Sequence, residues 1–193
     1  MLEKHELLEG FRLKISDARG KIRERHQAGQ TGHATVNELR LAMDELIGEF
    51  YRHTCGEADV GPEPAVAVLA VGGYGRGELN PCSDIDLLVV TERTGHKSTD
   101  QFVKKFQYWF YDTGLKVAYQ VIPLNAINQF SQEDIKTKAA LLEARFLLGR
   151  QGIFQLFHDQ IRKYIGKQAD LFYHAYREEL PKRMKECGDS VFV

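Results

Sequence analysis

Cysteine is scarce in this chain of 193 residues, and the three present, Cys55, Cys82 and Cys187, are odd in number and far apart. That spacing builds neither a disulfide framework nor a zinc pattern, and it fits a reducing cytoplasm. An excess of one charge is also lacking: 26 basic and 27 acidic side chains leave a net charge of −1. Without a global basic field the chain is not expected to bind nucleic acid, and any basic site must be local. No apolar run approaches the roughly 18 to 20 residues of a membrane span. Residues 2–10 carry too many charges for a signal peptide, so a protein that stays in solution is expected. Internal repeats and low-complexity tracts are missing as well. What is present, 43% hydrophobic and 27% charged residues, suffices for one globular core with a helical extension.

The most informative stretch is 68–91, where an apolar run enters a glycine-rich turn and a second apolar run leaves through two aspartates. Strand side chains alternate faces, so Asp84 and Asp86 share one side while Ile85 and Leu87 take the other. Two carboxylates held roughly 7 Å apart along a strand repel each other unless a cation lies between them. Hard oxygen ligands of this kind suit Mg2+. Gly72, Gly73, Gly75 and Gly77 lack a Cβ, so the backbone here can approach a phosphate closely. Two other phosphate loops are excluded. Gly72 and Gly77 have P-loop spacing, but Glu78 and Leu79 stand where Lys and Ser/Thr are required. A dinucleotide fingerprint needs its glycines to open a long helix, and Pro81 stops any helix early.

What survives is Gly-Gly, a spacer of about ten residues, and Asp-x-Asp entering a strand. That combination resembles the nucleotidyltransferase superfamily that includes DNA polymerase beta. The fuller string from Gly72 to Leu88, Gly-Gly-Tyr-Gly-Arg-Gly-Glu-Leu-x-Pro-x-Ser-Asp-Ile-Asp-Leu-Leu, resembles more closely the amino-terminal domain of the bacterial PII-protein uridylyltransferase and uridylyl-removing enzyme. The resemblance extends over roughly 65–152, through the string Leu-Leu-Glu-Ala-Arg-Phe-Leu-Leu-Gly at 141–149. It implies Asp84 and Asp86 as catalytic metal ligands, UTP as donor and a tyrosine of the PII protein as acceptor. Gly72, Gly73, Arg76, Ser83 and Arg145 are then the candidate nucleotide contacts. Arg76 lies inside the turn and offers phosphate a bidentate fork, with Glu78 as its rival partner. For Arg145 two roles stay open: meeting a phosphate, or bracing the glycine-rich turn. The resemblance is incomplete at 116–124, where the superfamily commonly supplies a third carboxylate and this chain has none. The family also tends to carry Gly-His-Ser-Val-Arg-Thr there; Ile122 stands in place of its arginine.

Around this centre the rest reads as mostly helical. Leu8, Phe11, Ile15, Ala18 and Ile22 recur at helical spacing, 27–32 breaks the pattern, and Val36, Leu39, Met43, Leu46, Ile47 and Phe50 mark a second helix ending near Gly56. Arg23, Arg25 and His26 read as a solvated helix end. Residues 65–71 and 85–91 read as strands, and a helix capped by Ser98 or Thr99 and ended by Gly114 carries Phe102, Val103, Phe106, Trp109 and Phe110. Aromatics at helical spacing are expected in a core rather than in a base-stacking platform. A third strand is expected at 116–124, and a helix at 136–149 that is apolar on most sides and includes Glu143 and Arg145. Residues 153–188 read as further helices. His158 and Asp159 invite a metal-dependent phosphohydrolase reading, but only His174 is near enough in sequence to assist, so a surface helix pair is expected.

The expected fold is therefore α+β: a small mixed β-sheet nucleotidyltransferase fold with an N-terminal helical hairpin and C-terminal helices. The expected segments are 1–60, N-terminal helical; 61–130, nucleotidyltransferase core; and 131–193, C-terminal helical, ending within the transferase region of a longer polypeptide. The expected activity is magnesium-dependent nucleotidyl transfer from UTP to PII. The alternatives are a degenerate domain that senses nucleotide without turnover, and a related signalling nucleotidyltransferase with another acceptor.

Overall fold

The computed structural model describes residues 2–127, 135–167 and 169–186. The expected boundary at 130/131, and Cys187, lie outside the described residues. Two long helices, α1 (Leu2–Gln27) and α2 (Gly32–Cys55), open the chain as a hairpin. The Thr31 side chain caps α2 by accepting from the Ala34 amide, which occupies one of the donors a helix N-terminus leaves unpaired. β1 (Val66–Ala70) follows, then a four-residue helical turn, α3 (Gly72–Gly75), and β2 (Ile85–Thr91). Next come α4 (Lys97–Thr113), β3 (Val117–Pro123) and a 3-10 turn at Leu124–Ala126. α5 (Ile135–Leu142), β4 (Arg145–Gly149), α6 (Gln151–Gly166) and α7 (Ala169–Glu186) complete the described chain.

The four strands form one mixed sheet in the order β3-β2-β1-β4. β1 runs antiparallel to both β2 and β4, while β2 and β3 are parallel. Alternation along β1 and β2 divides the core in two. Val66, Val68, Ala70, Ile85, Leu87 and Val89 face the layer of α1, α2 and α4. Ala67, Leu69, Leu88 and Val90 face the opposite layer, where Leu141 of α5 and Ile153, Phe157 and Ile161 of α6 pack. The mixed α+β architecture expected from the sequence is the one observed.

Of the α4 aromatics, Phe102, Phe106, Trp109 and Phe110 are core, while Tyr108 and Tyr111 are exposed. Phe102 and Phe106 are fully buried, Trp109 stacks on Phe50 with 5.6 Å between ring centroids, and Phe11 meets Phe50 edge-on at 4.9 Å. Buried rings in such geometries add about 0.5–1.5 kcal/mol per pair beyond the area they bury. The Trp109 indole N–H donates to Thr54 Oγ1 at 3.0 Å, and Thr54 in turn donates to the Phe50 carbonyl. The polar atoms buried by this cluster are thereby satisfied. Gly114 ends α4 in the left-handed conformation, φ 74°, as expected. Its N-cap, however, is His96, and Ser98 is hydrogen-bonded to His96 Nδ1 instead of capping the helix.

One expectation is corrected outright. The single helix expected over 136–149 is a shorter helix, α5, followed by β4, so Glu143 lies just past a helix end and Arg145 begins a strand. The reason lies in β1. Its five residues are fully buried, and β2 satisfies the backbone groups of only one edge. A buried strand cannot leave its other row of N–H and C=O groups unpaired. Residues 145–149 take that edge, with Ala70 opposite Arg145 and Ala67 opposite Gly149. A short apolar run is compatible with helix or strand when periodicity alone is read, and here the open edge decides.

Candidate active site

β1 ends at Ala70, and the Val71 amide donates to the Asp86 carbonyl at 3.1 Å, which places the start of the glycine-rich turn beside the start of β2. Gly72 then adopts φ +59°, a conformation that side chains with a Cβ rarely accept. A Cβ on Gly72 would stand 3.1 Å from Asp86 Oδ2. The turn thus passes directly over this carboxylate, and Gly72 carries both the unusual φ and the close approach. Gly75 is tight for another reason: a Cβ there would meet the Glu143 carbonyl at 2.5 Å. The amides of Gly75, Arg76, Gly77 and Glu78 are all used inside the turn, bonding to Val71, Gly72, Tyr74 and Gly73 carbonyls respectively.

Asp84 is exposed one residue before β2, and Asp86 is half-buried within it. Burial, and then the neighbouring Asp84 charge, hold the Asp86 carboxyl above the usual carboxylate range. Both causes penalise the anion, and a bound cation would remove the penalty. The two side chains suit a hard divalent cation in donor type. β3 adds no carboxylate beside them: Ala118 pairs with Asp86 and Gln120 with Leu88. Among the described residues no group of three or more His, Cys, Asp and Glu side chains is placed to hold a metal. Ser83 is exposed, with Oγ donating to the Asn80 carbonyl at 2.9 Å. Gly73 lies in the turn, where a Cβ would come 3.3 Å from the Glu78 carbonyl.

The two candidate arginines are both engaged. Arg76, nearly half exposed, donates from Nε to Glu78 at 3.0 Å and from a terminal nitrogen to Glu143 at 2.6 Å. Arg145 braces the turn. Its terminal nitrogens form a bidentate pair with Asp44 at 2.9 and 3.0 Å, and one also reaches the Tyr74 carbonyl at 3.3 Å. Its Nε is buried and has no hydrogen-bond partner among the described residues. The Tyr74 hydroxyl donates to the same Asp44, and Arg40 adds a further bond to it at 2.9 Å. Burial and the adjacent Asp44 carboxylate push the Tyr74 phenol well above its ordinary range, so it stays a donor.

Sequence reading missed Asp44. The only local signal was its i,i+4 spacing from Arg40 on α2; its partners Tyr74 and Arg145 lie 30 and 101 residues away. A cavity of about 240 Å³ opens beside Gly72 and Asp86, between β3 and α5.

Residues 61–142 match the family described as the nucleotidyltransferase domain. The matched stretch contains the glycine-rich turn with both aspartates. Over a longer stretch the chain is similar to proteins named bifunctional uridylyltransferase/uridylyl-removing enzyme. The one from Photobacterium profundum is 30% identical over 160 residues, covering 83% of this chain and 18% of the relative. The one from Azospirillum brasilense is 29% identical over 192 residues, 97% of this chain and 21% of the relative. The one from Novosphingobium aromaticivorans is 31% identical over 162 residues, 80% of this chain and 17% of the relative. The chain thus spans about a fifth of the length of these relatives.

Two stability outcomes follow from this geometry. Asp44→Asn keeps the shape but removes the charge that two arginines and a phenol share, and charge-assisted hydrogen bonds of this kind are worth about 1.5–3 kcal/mol. Urea unfolding should therefore show a loss of about 2 kcal/mol; an unchanged midpoint would mean that the turn does not depend on this carboxylate. Asp86 has the opposite sign. Because its folded-state pKa is raised, the penalty is present at neutral pH and is relieved as pH falls through the folded value toward the ordinary carboxylate range. In metal-free buffer Asp86→Asn should raise the melting temperature at neutral pH, and the gain should shrink on acidification. A gain that persists below the ordinary carboxylate range would assign it to packing instead.

Proposed function

We propose that this chain is the nucleotidyl-transfer domain of a magnesium-dependent uridylyltransferase that uses UTP and modifies the PII protein. The observation that carries the reading is the Gly72 backbone passing over Asp86, whose carboxylate is crowded by Asp84. The crowded pair suits a cation, and the close-approach glycine above it suits a phosphate bound to that cation. The similarity to the named uridylyltransferases supports a uridylyl donor such as UTP, and PII is the acceptor that the resemblance of the 72–88 string implies. With that acceptor, a cytoplasmic, signalling role in nitrogen regulation belongs to the same proposal. No described helix is long and apolar enough to cross a membrane.

Asp84 and Asp86 would hold Mg2+, which on binding supplies positive charge to the triphosphate oxygens. Gly72 and Gly73 let the backbone approach the phosphates, and Ser83, exposed just before Asp84, is the further candidate contact. In the transfer itself a hydroxyl oxygen of the acceptor bonds to the α-phosphorus, the α–β bridging bond breaks, pyrophosphate leaves and the hydroxyl proton is released. Positioning and charge stabilisation dominate such reactions. Arg145, tied to Asp44 and the Tyr74 carbonyl, keeps the turn in place. Arg76 is the side chain free to exchange partners, because Glu78 and Glu143 hold it at a solvent-exposed position, where ion pairs are weak. A second reading, nucleotide binding without turnover, is favoured by one observation: β3 offers Ala118 and Gln120 beside Asp86, and no carboxylate.

Transfer of label from each of the four nucleoside triphosphates, radiolabelled at the α-phosphate, to PII tests the activity. Label should move from UTP only in the presence of Mg2+, and Asp84→Asn or Asp86→Asn should cut the rate on the order of 100-fold or more, since metal charge stabilisation is worth several kcal/mol. A variant that keeps the parent rate would remove that aspartate from the site, and magnesium-dependent UTP binding with no transfer would select the second reading. Arg76 has its own test. Arg76→Lys should weaken UTP binding about tenfold, because charge is kept and the fork is lost, while Glu78→Gln should leave affinity nearly unchanged. If instead both substitutions lower the melting temperature and neither alters affinity, Arg76 serves the turn alone.

A further inference from the structure

We propose that the cavity between β3 and α5 is the pocket for the nucleobase, and that Gln120 reads the base edge; this rests on the nucleotidyltransferase reading of the site. Among the described residues, the layer that covers this face of the sheet stops short of one corner. Leu88, Val90 and Ile122 on the same face are buried under α5 and α6, yet Ala118, the register partner of Asp86, and Gln120, the partner of Leu88, are exposed. Over that corner lies the space of about 240 Å³, lined by Gly72, Asp86, Gln120, Thr137 and Ala140 among others.

Size, polarity and position each narrow the occupant. The volume falls below the roughly 300–1,000 Å³ of sites that enclose drug-sized ligands, so it admits a single small ring rather than a whole nucleoside triphosphate. Ala118, Ala140 and Leu141 supply a small apolar lining suited to a flat ring. Gln120 is neutral and offers an acceptor and a paired donor in one plane. The amide carbonyl can accept from N3–H of a uracil while the amide nitrogen donates to its O4, and Thr137 lines the same space. A carboxylate at position 120 would repel a triphosphate, whereas the amide does not. The polyphosphate would then lie toward Gly72 and Asp86, so that ring and phosphates fall on opposite parts of one continuous site.

The experiment compares UTP, ATP and inorganic tripolyphosphate by calorimetry in magnesium buffer, using the full chain and two variants. Gln120→Ala removes the reader at an exposed position; Ala118→Leu fills the cavity. Each variant should bind tripolyphosphate like the parent and UTP on the order of tenfold more weakly, the loss expected for about two neutral hydrogen bonds or for an excluded ring. The preference for UTP over ATP should collapse in Gln120→Ala. Parent-like UTP affinity in both variants would place the base elsewhere and overturn the proposal, leaving the phosphate site intact. So would parent-like UTP binding combined with a loss of transfer to PII, which would give the cavity to the acceptor side chain. A parent chain that binds neither UTP nor tripolyphosphate would overturn the nucleotidyltransferase reading itself, and the base pocket with it.

Discussion

Everything at the site depends on one buried strand having both of its edges paired. β1 has no exposed surface at any of its five residues, so its backbone groups have no water to turn to and must find partners in neighbouring strands. β2 takes one edge and brings Asp86 alongside the end of β1. β4 takes the other and brings Arg145 opposite Ala70. The glycine-rich turn leaves β1 between these two neighbours. A single requirement of backbone satisfaction therefore sets a carboxylate on one side of the turn and a guanidinium on the other.

The two aspartates flanking the turn illustrate how environment assigns roles to identical side chains. Asp44 is shared by Arg40, Arg145 and the Tyr74 hydroxyl, all within hydrogen-bonding distance. Its charge is consumed in holding the helical hairpin, the turn and β4 together. Asp86 has Asp84 for its neighbour, and its pKa is raised by burial and by that charge. One carboxylate is stabilised by cations that belong to the fold. The other retains an unmet demand for positive charge, which is the property a metal-dependent site requires.

Much of this was legible from residue patterns because it is local. The apolar run before the glycines, the alternation through Ile85, Asp86 and Leu87, and the helical stripe through Leu39, Met43, Leu46 and Phe50 are short-range signals. They reappear as β1, β2 and the buried face of α2. The expectation failed where the deciding partner was remote. Residues 145–149 satisfy a helical pattern as readily as a strand, and only the vacant edge of β1, some 80 positions earlier by sequence number, breaks the tie. Asp44 looked like one more charge on an amphipathic helix, since the groups that give it a role arrive 30 and 101 residues later. Arg76 had a legible rival in Glu78, but Glu143 became its neighbour only through the close packing of Gly75 against the Glu143 carbonyl.

The parallel pairing of β2 with β3 explains why the missing acidic residue is also an opportunity for specificity. Parallel register sets Ala118 beside Asp86 and Gln120 beside Leu88 on the face that carries the cavity. A carboxylate at either position would add to the charge already crowding Asp86. Alanine and glutamine instead leave that corner neutral and open, with one small side chain making room and one amide able both to donate and to accept. The same substitution pattern that weakens the case for a second cation therefore strengthens the case for a neutral, flat, hydrogen-bonding occupant. A nucleobase has those three properties, and it is joined covalently to the phosphates that the proposed function assigns to the neighbouring turn.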